Sequence, residues 1–392
     1  MTDDIVILAA RRTPIGAFQG VFNPTTAAQL GATAIRAALS DSGVAAEQID
    51  EVIMGCVLQA GQGQAPARQA LLGAGLPQSV SATTINKVCG SAMKAMMLAS
   101  DQLKAGSAKL IIAGGFESMT NAPYLLPKAR GGYRMGHGEI LDHMFFDGLQ
   151  NPYDGKMMGF FADATAAKYS FTREQQDAFA SESVRRAQAA VANGAFKAEI
   201  TPVTVKTRKG EQLIDTDETP GTCDLNKIPT LKPAFNKDGT VTAASSSSIS
   251  DGAAALVLTT AANAKTLGQQ PLARIVAYTS HAHQPEWFTT APSGAIQKVL
   301  DKAGWQVSDV DLFEINEAFA CVTMSAMHDV GLSHDKVNIN GGACALGHPI
   351  GAAGARITTT LIHALKARGL KRGVASLCIG GGEATAMAIE LI

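Results

Sequence analysis

Neither sign of charge is in surplus. In 392 residues, 33 Lys and Arg stand against 34 Asp and Glu, a formal net charge of −1. A chain so balanced lacks the basic field that a polyanion attracts, so no nucleic-acid partner is expected. Long apolar runs are missing too: nothing approaches the ~18 residues of a membrane span, and no membrane partner is expected. The opening Met-Thr-Asp-Asp and the short apolar run from Ile5 to Ala10 lack the basic start and apolar core of a secretory leader. Cysteine is sparse and dispersed, at positions 56, 89, 223, 321, 344 and 378, without a CxxC pair. That argues against a disulfide framework and against a structural zinc site. Free thiols suit a reducing, cytoplasmic setting. His281 and His283 stand two apart, which is weak metal evidence, and they read as loop histidines. No metal or other cofactor is therefore expected.

Glycine is abundant, with 39 residues, and 46% of the chain is hydrophobic. This suits a globular α/β protein with many tight turns and room for two or three domains. An internal repeat refines that picture. "AIRAALSDSGVAAEQIDEVIMG" begins at Ala34 and "AIQKVLDKAGWQVSDVDLFEIN" at Ala295, an offset of 261 that pairs Gly43 with Gly304 and Asp50 with Asp311. Each copy reads as a helix, a glycine stop, a short loop and a strand. The same offset carries Gly90 onto Gly351, and each of these opens a second helix. Those helices lead to "KLIIAGGFE" and "VASLCIGGGE", two buried-looking strands that end in glycines and a glutamate. Two related α/β halves follow, with mostly parallel sheets covered on both faces. Between them, about residues 120 to 250, Pro, Asp, Lys and Tyr become frequent. One long amphipathic helix runs from Arg173 to Ala192. This stretch reads as an inserted loop domain.

Four positions stand where strands end or helices begin. Cys89 precedes the helical stripe Ala92, Met96, Ala99 and Leu103. A thiol at a helix start ionises more easily than a free one, but a small buried cysteine near a turn fits the stretch as well. Met93, Met96 and Met97 read as core packing. His348 precedes Pro349, and Ile350, Ala353, Ile357 and Leu361 give the next stripe. Proline at the first helical position would place His348 near the N-cap, as a capping residue or as a partner for Cys89. Cys378 ends a strand before three glycines, as a buried strand cysteine or beside bare N–H groups that approach a ligand. Asn316 ends the strand of "FEINEAFA", as an N-cap or at a strand terminus where α/β sites form.

"NKVCGSAMKA", "NEAFA", "GGACALGHPIGAAGARI" and "CIGGGEA" resemble the four signature blocks of the thiolases, and "VILAARRTPIGAF" and "GGFESMTNAPYL" extend the resemblance over essentially the whole chain. Within that family it is similar to the biosynthetic, acetyl-CoA C-acetyltransferase type. The resemblance implies a five-layered αβαβα core of two pseudo-repeated halves, residues 1–120 (completed by about 250–270) and 271–392. It also implies a loop domain, 121–249, that covers coenzyme A, and a homodimer or homotetramer. The substrates would be acetyl-CoA, acetoacetyl-CoA and CoA. Cys89 would be the nucleophile, His348 the acceptor of its proton, and Cys378 the acid and base. Asn316 with His348 would form one oxyanion hole, and the N–H groups of Cys89 and Gly380 the other. Ser247, Ala243, Phe235, Met158, Ala318 and Phe319 would contact CoA, although "SSSS" at 245–248 also reads as a flexible loop.

The chain departs from the family pattern in places. Lys156-Met157-Met158-Gly159 stands where biosynthetic relatives carry Tyr-His-Met-Gly, and "SSSSISD" where they carry "NASGIND". An arginine near the adenine is replaced around Pro220. The missing histidine bears on acyl length and leaves a degradative 3-ketoacyl-CoA thiolase as the neighbouring reading. A condensing enzyme fed by acyl carrier protein would pair one cysteine with two histidines. A non-catalytic CoA- or lipid-binding member would have lost Cys89, His348 or Cys378, and all three are present.

Overall fold

The computed structural model describes residues 4–208 and 210–392; Met1, Thr2 and Asp3 of the opening stretch lie outside it. Nine strands form one hydrogen-bonded path of two matching halves. The first half contains β1 (Ile5–Arg12), α1 (Ala27–Ser42), β2 (Glu51–Gly55), α2 (Pro66–Ala74), β3 (Ser81–Ile85), α3 (Ser91–Ala105) and β4 (Leu110–Ser118). Two helices of the intervening segment follow, α4 (Met158–Lys168) and α5 (Arg173–Asn193), and β5 (Ser250–Thr260) returns to the first sheet. The second half contains β6 (Ala273–Ala282), α6 (Ala291–Ala303), β7 (Leu312–Ile315), α7 (Ala320–Val330), α8 (Ala353–Arg368), β8 (Arg372–Ile379) and β9 (Glu383–Leu391).

The halves share one topology. In the first, β1 pairs antiparallel with β5, β5 antiparallel with β4, and β4, β2 and β3 are parallel neighbours. In the second, β6 pairs antiparallel with β9, β9 antiparallel with β8, and β8 is parallel to β7. A parallel bridge from Phe313 to Val337 stands in for the outermost strand. The sheets are thus mixed rather than mostly parallel. The last strand of each half returns antiparallel beside the strand before it, which alternation of helix and strand in sequence does not reveal. The halves join where Ile5, Val6 and Ile7 of β1 pair with Ile275, Arg274 and Ala273 of β6.

Five layers follow from which strand residues face which way. On β4, Leu110, Ile112 and Phe116 pack toward α1 and α2, while Ile111 and Ala113 pack toward α3 and α8. Those two central helices lie between the sheets, and α6 covers the outer face of the second. Each fully buried Leu or Ile on these faces contributes roughly 1.5–3 kcal/mol. The predicted glycine stops are left-handed C-caps, Gly43 at φ 67° and Gly304 at φ 68°, a conformation that disfavours any residue with a Cβ. Asp50 and Asp311 also play the same part. Asp50 accepts the N–H groups of Lys109 and Leu110, and Asp311 those of Lys371 and Arg372.

The segment between β4 and β5 is anchored by a buried charge cluster. Arg12, fully buried, donates to Glu199 at 2.5 Å and to Asp217 at 2.7 and 2.9 Å. Removing one member of such a cluster typically costs about 3–5 kcal/mol, because an unpaired charge remains buried. The long helix is α5, opened by a capping box of Thr172 and Gln175. No helix among the described residues is long and apolar enough to cross a membrane.

Candidate active site

Three hydrogen bonds shape the turn that carries Cys89. Val88 N donates to Asn86 Oδ1 at 2.8 Å, Lys87 N to Ser91 Oγ at 2.8 Å, and Ser91 Oγ to the Val88 carbonyl at 2.7 Å. They hold Val88 at φ 47°, a conformation unusual for a β-branched residue. Cys89 stands two residues before α3, with Gly90 as N-cap, and is partly open to a cavity of about 210 Å³. His348, Cys378 and Gly380 border the same cavity. Residues far apart in sequence therefore meet because both central helix starts and the end of β8 face one space.

The electrostatics correct one expectation. Burial pushes the Cys89 thiol up to about 11; the N–H groups of Gly380 and Cys89 itself pull it back, and the Glu117 carboxyl adds to the rise. The helix start does not outweigh desolvation, and the resting group is a thiol. His348 is pushed down to about 3, first by burial and then by the charge of Arg356, so it rests neutral. Its Nε2 has no hydrogen-bond partner among the described residues, while its Nδ1 lies 3.4 Å from Asn316 Nδ2. Arg356 Nη2 donates to Asn316 Oδ1 at 3.4 Å, which turns the amide N–H₂ toward the imidazole. Cys378, in β8, is buried, and burial lifts its thiol well above the ordinary value. With thiol and imidazole both neutral at rest, passing the Cys89 proton to His348 creates a thiolate–imidazolium pair, whose charges the surrounding donors must offset.

The alternative readings of these residues resolve one by one. Asn316 is not an N-cap: α7 begins at Ala320 with Phe319 as its cap, and Asn316 N donates to Ser376 O in line with β7. His348 is not beside the first helical residue. Pro349 caps a tight turn, Ile350–Ala352, and α8 begins after it. The serine run is not a free loop: Ser247 N donates to Ala318 O, Ala320 N to Ser245 O, and Ser246 bridges Phe319. Ser247, Phe235, Met158, Ala318 and Phe319 line the cavity. Ala243 is exposed and lies outside the lining residues. Pro220 is buried and offers no cation, its carbonyl accepting from Gln188. Met93, Met96 and Met97 are core residues. His281 lies in β6 rather than in a loop, whereas His283 is in the loop that directly follows it, and their rings stand 5.2 Å apart. None of the six cysteines is in a disulfide. Among the described residues, no group of three or more His, Cys, Asp or Glu is placed to hold a metal ion.

Two contributors escaped the sequence reading. Glu117 is fully buried and accepts from Val57 N, Leu58 N and Gly351 N, which ties the first half to the start of α8. Burial raises its carboxyl to about 7 despite those donors. Its signal was the glutamate at the strand end in "GGFE". Met157, which stands where relatives carry a histidine, lines the cavity beside Met119, Ile350 and Leu149, and of these Leu149 had no signal beyond hydrophobicity.

Thiolase, N-terminal domain, matches residues 5–262, and Thiolase, C-terminal domain, matches residues 269–391. The acetyl-CoA acetyltransferase of Pseudomonas aeruginosa is 50% identical over 98% of this chain and 99% of its own length. That of Escherichia coli is 50% identical over 98% of both chains. The crystal structure of the Bacillus anthracis acetyl-CoA acetyltransferase superposes with a TM-score of 0.97 at 42% identity, covering 100% of this chain and 99% of that one. With both domains matched in order, the two halves alike in topology and the four sequence blocks gathered around one cavity, this chain is an enzyme of the thiolase family.

Proposed function

We propose that the chain is an acetyl-CoA C-acetyltransferase that condenses two acetyl-CoA reversibly into acetoacetyl-CoA and CoA, by a ping-pong route through an acetyl group on Cys89. The observation that carries this reading is the cavity shared by Cys89, His348 and Cys378, with Gly380 also on its wall. In the first half-reaction, His348 takes the thiol proton and the sulfur attacks the acetyl carbonyl. Cys378 protonates the departing CoA sulfur. In the second, the Cys378 thiolate removes an α-proton from another acetyl-CoA. The resulting carbanion attacks the acetyl carbon on Cys89 and releases the Cys89 thiolate, which recovers the proton from His348. Thiolate-for-thiolate exchange keeps the first step nearly balanced, and the N–H groups of Cys89 and Gly380 receive the oxyanion. Asn316 and His348 form the second donor set. Met158, Phe235, Ser247, Ala318 and Phe319 would flank pantetheine. Rapid acid quenching after mixing with acetyl-CoA should trap about one acetyl group per chain on the Cys89 peptide. An adduct on another cysteine, or none, overturns the reading.

A longer-chain 3-ketoacyl-CoA thiolase is favoured by one observation: flexible Met157 lines the cavity beside Met119, Leu149 and Ile350. Thiolysis of 3-ketohexanoyl-CoA against acetoacetyl-CoA separates the readings, and turnover of the six-carbon substrate is expected. A homodimer or homotetramer accounts for two further features, the outer edge position of β3 and the exposed Tyr124, Leu126, Met135, Ile140 and Tyr153.

A further inference from the structure

Cys89 and Gly380 border one cavity on loops from opposite halves; hydrogen bonds hold the first loop, and the second has no side chains to do so. Gly380, Gly381 and Gly382 join β8 to β9 without side chains to fix them, Gly381 and Gly382 at φ 96° and 90°. The position of the Gly380 N–H must be set from the flanks. On one side is Cys378, in β8. On the other, His283 N holds the Gly382 carbonyl at 2.8 Å, and Glu383 opens β9. Glu383 Oε2 pairs with Lys87 Nζ, across a separation of 296 residues. Lys87 lies two residues before Cys89, in the turn that holds Val88 left-handed. The loops also touch. A Cβ on Gly90 would fall 2.3 Å from Ile379 Cδ1, and one on Gly380 would fall 3.8 Å from Val88 Cγ1.

We propose that the Lys87–Glu383 ion pair is a positioning clamp that sets the Gly380 N–H against the Cys89 sulfur. The proposal rests on the acyl-Cys89 reading above. A partly exposed ion pair ordinarily matters little to stability. Here it links two loops whose relative placement decides whether an N–H meets the reacting sulfur and its oxyanion. Misplacement of about 1 Å at such a point can cost up to ~10²-fold in rate.

The test uses Lys87→Met, Glu383→Gln and the exchanged pair Lys87→Glu/Glu383→Lys in the full chain. Three quantities are read: melting temperature, the rate at which acetyl-CoA acetylates Cys89, and the pH dependence of Cys89 alkylation by neutral iodoacetamide. Each single variant is expected to slow acetylation by about 10–100-fold. Each should also move the alkylation curve to higher pH, because the lost N–H no longer favours the thiolate. The exchanged pair is expected to recover most of both effects. The direction of the pH shift separates a clamp from direct electrostatics. Losing a positive charge near a thiol raises its pKa and losing a negative one lowers it, so simple field effects move the two single variants oppositely. Opposite shifts, wild-type acetylation in both singles, or an exchanged pair no better than the singles while melting like wild type would each overturn the clamp. If the singles fail to fold, the exchanged pair alone decides. If the wild type itself forms no acetyl-Cys89, the acyltransferase reading fails, and the alkylation curves still decide the clamp.

Discussion

The two halves are built on one plan and then diverge at two places. In the first half, β4 and β5 are separated by residues 119–249, which bring α4, α5 and much of the cavity wall. In the second, the same connection, from β8 to β9, is three glycines. One connection has become a covering segment. The other has become a short turn that places Gly380 at the cavity directly after a strand end. The second divergence lies at the starts of the central helices. Cys89 precedes Gly90, whereas the equivalent residue before Gly351 is Ile350, and His348 stands where the repeat puts Lys87. Both helix starts reach one cavity, yet one brings the sulfur and the other an imidazole and an apolar wall. Duplication supplies the convergence; the side chains that break the symmetry supply the chemistry.

The sharpest way to break this division is to remove one sulfur from each half. Cys89→Ala, in the first half, should abolish the acetyl-enzyme and condensation together. Cys378→Ser, in the second, keeps the size but replaces a thiol by a much weaker acid. The acetyl adduct on Cys89 should still form, because the CoA thiolate is already a good leaving group. Condensation, and exchange of acetyl-CoA α-protons into deuterated water, should fall by about 10²–10⁴-fold, the range of a general acid–base group. Near-normal condensation in Cys378→Ser would make it a strand cysteine, with the base to be sought at His348.

Much of this plan was legible in the sequence, for reasons particular residues show. The offset that pairs Gly43 with Gly304 and Asp50 with Asp311 survives because left-handed caps and strand-entry carboxylates tolerate few substitutes. Cys89, His348, Asn316 and Cys378 stood out because strand ends and helix starts are where such folds place ligands. Strand direction was not legible: β5 and β9 read like any apolar strand, and nothing local states that they return antiparallel. The ionisation of Cys89 was misjudged because the helix start is local and visible, whereas burial and Glu117 are supplied by distant segments. The Lys87–Glu383 pair was hidden for the same reason.

His348 offers a smaller effect that sharpens the contrast, since its partner position in the first half is a lysine. Burial and Arg356 depress the imidazole from 6.5 to about 3. Between these values the unfolded chain binds a proton that the folded chain does not, so stability falls as pH drops through that window and is fully present above about pH 6.5. One such proton gives a slope of about 1.4 kcal/mol per pH unit. His348→Asn should remove that slope. Urea unfolding at several pH values from neutral to mildly acidic measures it, and an unchanged acid limb would show that the imidazole is not held neutral in the fold.

The smallest effect tests the symmetry itself. Asp50 and Asp311 each accept two N–H groups at the start of a buried strand, and each donates its own N–H back, to Leu110 O and Arg372 O respectively, both at 2.9 Å. Neither carboxylate touches the cavity. Asp50→Ala and Asp311→Ala should therefore leave the acetylation rate of Cys89 unchanged. Each should cost roughly 1 kcal/mol, since water replaces part of what the carboxylate supplied at these accessible turns. Because they serve separate halves and share no partner, the double variant should show the sum within about 0.5 kcal/mol. Unequal losses, with one variant silent, would mean that the halves keep the backbone of the repeat but no longer depend on it alike. A double variant far worse than the sum would mean that the halves unfold as one unit coupled through α3 and α8, where residues of both sheets share one core.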